Sequence, residues 1–296
     1  MTTAAQKQAQ ANRDTIFVQD GEILSIEAFA GDQFIMRIRA PKCAATAEPG
    51  SFVHITCDDS LPMRRPLSIM RASDDWIEIL YKIVGQGLRL LSQKKPGDQV
   101  SVLGPIGQPF RMSAERPNTL LIGGGVGIPP MVYIADWLRQ SAEDWKPFAI
   151  LGSEIPFPFK LQKSSLQVAG VPNEISSTMP LLESWGIPTR LTSLQGYEGC
   201  YNGYVTDLAD QWLSTLSAED LARVEVFACG PTPMLKAVAA LAARYDLPCQ
   251  VSLEEFMACA VGGCAGCAVK IVTPDGEAMK RVCVDGPVFD AATVAR

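Results

Sequence analysis

Thr119-Leu120-Leu121-Ile122-Gly123-Gly124-Gly125-Val126-Gly127-Ile128-Pro129-Pro130 runs from a short apolar strand, through a glycine cluster, into the start of a helix. That order decides the fold of the middle of the chain. Glycines let backbone amides approach a pyrophosphate, and the following helix N-terminus adds partial positive charge. Pro129 and Pro130 suit a first helical turn, where the missing amide costs nothing. Met131, Ile134, Ala135 and Leu138 then fall on one apolar helix face. The run departs from Gly-x-Gly-x-x-Gly, because counting from Gly125 the third glycine position is Pro130. Gly123, Gly124, Gly125, Val126 and Gly127 are therefore expected to bind a dinucleotide; a tight turn without a ligand is the alternative.

Downstream the same pattern recurs. Buried strands are expected at 148–151 and 224–228, and a helix follows with Met234, Val238 and Leu241 on one face. Strands alternating with helices predict a doubly wound α/β parallel sheet over 114–248. The stretch 153–188 reads only as a surface excursion with one helix. Ligands of such sheets sit beyond the carboxyl ends of the strands. Glu154, after the second strand, is placed to accept bonds from a ribose 2′-hydroxyl, which favours NAD over NADP; a solvated loop carboxylate explains it as well. Cys229-Gly230-Pro231 ends a central strand, so Cys229 is a candidate catalytic residue facing a nicotinamide, or else a buried thiol.

Upstream, short apolar or alternating segments at 23–26, 34–38, 51–56, 76–82 and 99–103 are punctuated by Gly31, Pro41, Pro49-Gly50, Pro96-Gly97 and Gly104-Pro105. Many short strands with turn signals predict a small antiparallel β-barrel over 14–113. Arg64-Arg65-Pro66-Leu67-Ser68 stands out there, since Arg binds phosphate bidentately and Ser adds a donor. A solvated basic turn is the other reading. The polar stretch 1–13 reads as a flexible tail.

The last segment, 249–296, holds Cys259, Cys264, Cys267 and Cys283. The spacing C-x4-C-x2-C…C is that of plant-type [2Fe–2S] ligation. Between Cys259 and Cys267 every residue except Val261 and Cys264 is Ala or Gly, as tight wrapping of a cluster requires. Expected strands at 269–273 and 278–284, joined by a turn at 274–276, would return Cys283 to the loop. A structural zinc site usually shows two paired-ligand knuckles, and only one Cys-x-x-Cys is present. Chance clustering of buried thiols is the third reading.

The totals set limits. With 296 residues, 47% of them hydrophobic, the chain accommodates two or three domains with cores of their own. A net charge of −6 without a basic stripe argues against nucleic acid. No apolar run approaches a membrane span. The N-terminus lacks a secretory h-region, and nine cysteines form an odd count without framework spacing, so a cytoplasmic location is expected. His54 is the single histidine, in an alternating stretch that predicts a half-exposed strand position. With one histidine, a Ser-His-Asp triad or a His-rich metal site is not expected, and cofactors must carry the chemistry.

Together these stretches resemble the ferredoxin–NADP reductase superfamily and, more narrowly, the electron-transfer subunits of NAD-dependent dihydroorotate dehydrogenases. The resemblance spans about 17–289. It rests on 64–68, Tyr81-Lys82-Ile83-Val84-Gly85-Gln86-Gly87, Gly104-Pro105-Ile106-Gly107, the glycine loop, Ala228-Cys229-Gly230-Pro231, and Ser252-Leu253-Glu254-Glu255-Phe256-Met257-Ala258-Cys259. It implies an FAD-binding barrel, a NAD-binding sheet domain and a C-terminal [2Fe–2S] segment. By position, Arg65, Pro66, Leu67 and Ser68 would hold the flavin and its pyrophosphate. Leu80, Tyr81 and Lys82 would line the flavin, and Gly87 and Leu88 would lie near the diphosphate. Three positions depart from the pattern: Leu67 stands where Tyr is usual, Leu88 where a hydroxyl residue is usual, and Ala260 where Gly is expected. The implied partner is a catalytic, FMN-containing dihydroorotate dehydrogenase subunit in a hetero-oligomer of pyrimidine biosynthesis. Reductase subunits of sulfide dehydrogenase, transhydrogenase or hydrogenase type share the layout. A metal-stabilised scaffold or redox sensor is the reading of another class.

Overall fold

A computed structural model describes residues 15–273 and 276–294. The tail expected at 1–13, and part of the turn expected at 274–276, lie outside these residues.

The first half closes into a barrel. Its strands are β1 (Phe17–Phe29), β2 (Gln33–Arg39), β3 (Phe52–Thr56), β4 (Arg65–Ser73), β5 (Trp76–Lys82) and β6 (Gln99–Ile106), ordered β1-β2-β5-β4-β3-β6 with every pair antiparallel. Short helices α1 (Pro41–Ala44) and α2 (Gly85–Leu91) lie in its connections. Ile38, Val53, Ile55, Ile69, Ile79 and Val102 pack its interior. Closure leaves no sheet edge unpaired, which is how a small antiparallel sheet avoids an aggregation-prone border. β4 opens as a strand at residues for which a solvated basic turn is the alternative reading, because they gain partners from distant β3.

The second half is built on a six-stranded sheet, β11-β8-β7-β12-β13-β16. It comprises β7 (Asn118–Gly124), β8 (Phe148–Gly152), β11 (Thr189–Thr192), β12 (Val224–Cys229) and β13 (Cys249–Ser252), all parallel, plus antiparallel β16 (Val288–Asp290). Helix α3 (Ile128–Gln140) covers one face. Helices α5 (Val205–Leu213) and α7 (Thr232–Arg244) cover the other, so β7 sends Leu121 to one core and Leu120 and Ile122 to the other. The excursion after β8 holds a two-residue pair, β9 (Gln162–Lys163) with β10 (Ser177–Thr178), and α4 (Pro180–Ser184); α6 (Ala218–Leu221) precedes β12. β13 and β16 both lie beyond residue 248, so the C-terminal segment is stitched into this sheet rather than appended to it.

Two expectations change. α3 is not simply amphipathic: Ile128 to Asp136 are all buried, because the helix is wedged between sheet and barrel, and Tyr133 Oη donates to Ala47 O of the barrel at 2.8 Å. His54 is fully buried rather than half-exposed. Neither of its ring nitrogens has a hydrogen-bond partner among the described residues. Burial, then the Arg64 charge, pushes its pKa down to about 4.

The remaining hairpin, β14 (Ala268–Thr273) with β15 (Gly276–Arg281), packs its base on the barrel end: Phe52 and Ile106 share a core with Ala260, Cys267, Val282 and Cys283. Cys283 lies in the turn after β15 rather than on the strand. Among the described residues no helix is long and apolar enough to cross a membrane.

Candidate functional site

The carboxyl ends of β7, β8, β12 and β13 lie side by side at Gly124, Gly152, Cys229 and Ser252, the edge where open parallel sheets form a ligand crevice, and the glycine run lies along it. Each glycine there answers a different demand. A Cβ on Gly127 would lie 2.2 Å from Cys229 O, backbone against backbone. A Cβ on Gly124 would lie 2.5 Å from the Met234 sulfur, and one on Gly123 would lie 3.0 Å from Leu151. Gly125 has φ +55° and nothing within 4 Å of a Cβ, so it is the glycine that faces open space. Val126 beside it is partly exposed. Gly127 is the N-cap of α3, and no side chain caps that end. Ile128 N–H bonds Gly125 O, and Pro129 and Pro130 carry no amide, so what this end offers an anion is the positive end of the helix dipole beside an unobstructed glycine turn.

Cys229 is fully buried. Burial, reinforced by Glu254, raises its thiol pKa against opposing bonds from Ser252 and Gly230, so the group is a neutral thiol at physiological pH. Gly230 and Pro231 connect it to α7. Glu254, just past β13, belongs to no ligand spacing that would single it out in the sequence. Its carboxyl is raised above the usual range by desolvation although the side chain is exposed. Glu154 is exposed just beyond β8.

In the barrel the two adjacent arginines have different surroundings. Arg64 is a staple: Nη1 donates to His54 O at 3.1 Å and Ser101 O at 2.9 Å, and Nη2 donates to Ser101 Oγ at 2.9 Å. Arg65 turns instead toward the first turn of α2. A Cβ on Gly87 would sit 3.1 Å from Arg65 Nε, so glycine there lets the guanidinium lie against the helix start. Pro66, Ser68 and Lys82 are half-buried, and Leu80 packs between barrel and sheet with Met70 and Phe110. The side chains of Leu67, Tyr81 and Leu88 are buried in the barrel core, with Tyr81 stacked on Phe34 at 5.5 Å. Alternation along β4 and β5 turns Leu67 and Tyr81 inward, and Leu88 is carried into the core on α2, so any ligand contact at these positions falls to main-chain atoms.

The four cysteines come together at the barrel end in unequal surroundings. Cys267 and Cys283 are each 3% exposed, and their sulfurs lie 3.4 Å apart. Cys259 is half-buried and Cys264 exposed. Their sulfurs accept bonds from Cys264 N and Gly266 N, each at 3.4 Å. Burial raises the Cys259 thiol, but the amides of Cys264, Val261 and Gly263 outweigh it and lower the pKa to about 7. Burial and the neighbouring Cys267 push Cys283 up to about 12. Ala260 (φ +56°) and Ala265 (φ +54°) hold left-handed backbone beside two of the ligands.

The donor set fits a cluster better than one ion. Tetrahedral zinc at 2.3 Å needs all four sulfurs about 3.8 Å apart. Among the described residues no three Cys, His, Asp or Glu side chains converge in that way. Cys267 paired with Cys283, Cys259 paired with Cys264, and amides aimed at sulfur match the two ligand pairs of a [2Fe–2S] group.

Residues 254–295 match the family model of the iron–sulfur cluster binding domain of dihydroorotate dehydrogenase B. A dihydroorotate dehydrogenase B (NAD+) electron transfer subunit of Caldanaerobacter subterraneus subsp. tengcongensis is 33% identical, over 83% of this chain and 86% of that protein. The subunit of the same name from Desulforamulus reducens is 31% identical, over 92% and 96%. Among solved structures, a chain of the NADH-dependent reduced ferredoxin–NADP oxidoreductase, described for flavin-based electron bifurcation, aligns at TM-score 0.73 and 27% identity, covering 93% of this chain and 89% of that one. The ferredoxin reductase of carbazole 1,9a-dioxygenase shares the fold at TM-score 0.60 and 21% identity, covering 79% and 67%.

Proposed function

The chain belongs to the family of dihydroorotate dehydrogenase B electron transfer subunits, and on that premise we propose that it passes electrons between a catalytic, FMN-containing dihydroorotate dehydrogenase subunit and NAD. The observation that carries this reading is the four-cysteine loop seated on the end of the barrel, in a chain that also holds a glycine-floored crevice. When bound, FAD exchanges electrons singly or in pairs, which joins a two-electron nicotinamide to a one-electron [2Fe–2S] cluster.

The chain's own residues position and insulate. Arg65 and the Gly87 turn hold the flavin diphosphate between a guanidinium and a helix start. Leu80, Lys82 and Ser68 line the flavin side of the barrel. Gly125, Val126 and the positive end of the α3 dipole receive the dinucleotide phosphates, and Glu154 accepts from the ribose hydroxyl and repels a 2′-phosphate. Cys229, buried beneath the carboxyl end of β12, supports the nicotinamide end with a neutral side chain rather than exposing its sulfur to it. Cys259, Cys264, Cys267 and Cys283 hold the cluster, and the amides of the loop stabilise thiolate charge. No protein base is needed for a hydride, which agrees with a chain whose one histidine is sealed in the barrel wall. The place of work is the cytoplasm, in pyrimidine biosynthesis, within a hetero-oligomer.

An anaerobic visible spectrum of the purified chain, titrated with NADH, tests this. Flavin bands and broad red-shifted cluster absorbance, both bleaching with NADH, are expected. A colourless zinc protein would overturn the cluster, and a chain that oxidised dihydroorotate unaided would overturn the need for a partner. A second reading keeps the electron path and changes the partner to a transhydrogenase-type subunit. The likeness to the NADH-dependent reduced ferredoxin–NADP oxidoreductase favours it, and affinity capture from the native host separates the two.

A further inference from the structure

Where barrel and sheet domain meet, one arginine is held from both sides. Arg71 lies on β4, six residues along from Arg65. On the barrel side its Nη1 is 3.9 Å from Glu78 Oε1, and its guanidinium lies 5.3 Å from the Trp76 ring centroid. On the sheet side its Nε is 3.6 Å from Asp136 Oδ2, and the same guanidinium lies 5.4 Å from the ring of Trp185, the C-cap of α4.

Both flanks are braced. Arg37 donates to Glu78 Oε2 at 2.8 Å and covers Trp76 at 4.1 Å. Arg139 Nε donates to Asp136 Oδ1 at 2.7 Å and covers Trp185 at 4.5 Å. The result is a ladder of alternating guanidinium and indole planes that crosses the domain boundary, with a carboxylate on each side. Asp136 is 3% exposed and Glu78 is 6% exposed, so these charges are poorly screened by water. Cation–π contacts gain strength under the same desolvation.

The location gives the ladder its meaning. Asp136 stands on α3, nine residues from Gly127, or about 13 Å along the helix axis. The α3 N-terminus carries the glycine floor of the crevice, and the start of β4 carries Arg65 and Ser68. Each of the two elements thus holds a cofactor contact at one end and one half of the ladder further along. Resting on the function proposed above, we propose that Arg71 is a positioning residue whose grip between Trp76 and Trp185, and between Glu78 and Asp136, fixes β4 against α3 and so sets the distance between flavin and nicotinamide.

Two variants test it. R71M keeps the stem and removes charge and plane; R71K keeps charge and removes the plane. With flavin content and NADH affinity unchanged, R71M should slow hydride transfer from NADH to flavin about 10- to 100-fold, since a misplacement near 1 Å costs that order. The long-wavelength charge-transfer band of reduced flavin with NAD+ should fade in parallel, and R71K should fall between R71M and the parent. Hydrogen exchange on the cofactor-free chains gives a second readout: protection should drop across 133–140 and 180–187 in R71M and stay level elsewhere. A hydride rate within twofold of the parent, or an unchanged band, overturns the proposal. So does a loss of flavin or of fold common to both variants, which would make Arg71 merely structural. A parent chain without flavin bands would instead sink the functional reading, while the exchange comparison would still report on the clamp.

Discussion

The glycine loop after β7 and the cysteine loop after β13 are both small-residue turns to which the proposed function gives a ligand, yet they are shaped by opposite means. Around the glycine loop the protein is complete. Gly127 abuts the Cys229 backbone, Gly124 abuts Met234, and α3 behind them is buried from Ile128 to Asp136. Around the cysteine loop it is half complete. Cys267 and Cys283 are anchored in the barrel-end core, but Cys264 is exposed, Phe256 is 93% exposed, and Ala260 and Ala265 hold left-handed angles. Packing specifies the first loop, and the bound group must finish the second. A nucleotide that comes and goes needs a site that persists without it; a resident cluster does not.

The largest effect expected from this contrast is at the cluster. Cys267→Ser should abolish cluster absorbance and lower electron flow to the partner more than about 100-fold, as the loss of an essential ligand implies. Flavin content and NADH-to-dye activity should stay within about twofold, because the crevice is packed independently. Joint loss of flavin and cluster would break the comparison, since the two loops would then be one folding unit.

The next effect separates two glycines of the same loop. Gly127→Ala forces a Cβ within 2.2 Å of a carbonyl oxygen that no rotamer can move. It should cost about 3 kcal/mol or more, near the upper end for overpacking. Gly125→Ala meets no atom and bears only its φ of +55°, at about 1 kcal/mol. Urea denaturation of both variants would show the gap, and equal costs would mean that packing does not specify the run.

These two loops were also the most legible parts of the sequence, for a shared reason. Cysteine spacing and a strand-to-helix glycine turn are local patterns, each complete within a few residues. What could not be read depended on distant neighbours. β4 is a strand because β3 pairs with Pro66 and Ser68. Arg64 and Arg65 are adjacent and alike in type, and it is Ser101 and Gly87, on other elements, that show Arg64 to be a staple and Arg65 to lie against a helix start. β16 reaches back to β13 across the whole cluster hairpin, so a linear boundary at 248 could not anticipate it. His54 looked half-exposed because alternation gives the face of a strand but not what covers that face.

His54 sharpens the comparison from the packed side. Its pKa in the folded chain, about 4, lies below the ordinary 6.5, so folding favours the neutral ring. That contribution is complete above pH 6.5 and is lost as pH falls toward 4. Between about pH 7.5 and 5 the loss should be about 2 kcal/mol, because each tenfold weakening of proton binding is worth about 1.4 kcal/mol. Denaturant titrations at the two pH values measure it, and His54→Leu should flatten the dependence. An unaltered slope in the variant would assign the acid sensitivity to other groups.

The smallest effect is expected at the cluster loop and tests what the bound group finishes. Ala260 is 1% exposed and sits at φ +56°, a conformation that costs a residue with a Cβ about 1 kcal/mol. Ala260→Gly removes that cost, but it also frees the unfolded chain and gives up a buried methyl, each worth about the same amount. In the cluster-free chain the contributions should nearly cancel, leaving stability within about 0.5 kcal/mol of the parent. In the loaded chain the relaxed angle should lengthen cluster retention in air by about two- to fivefold, because strain at the ligand-bearing turn is released only where the cluster enforces it. Faster bleaching of Ala260→Gly would show that the alanine methyl shields the cluster, and that packing reaches further into this loop than its exposed thiol suggests.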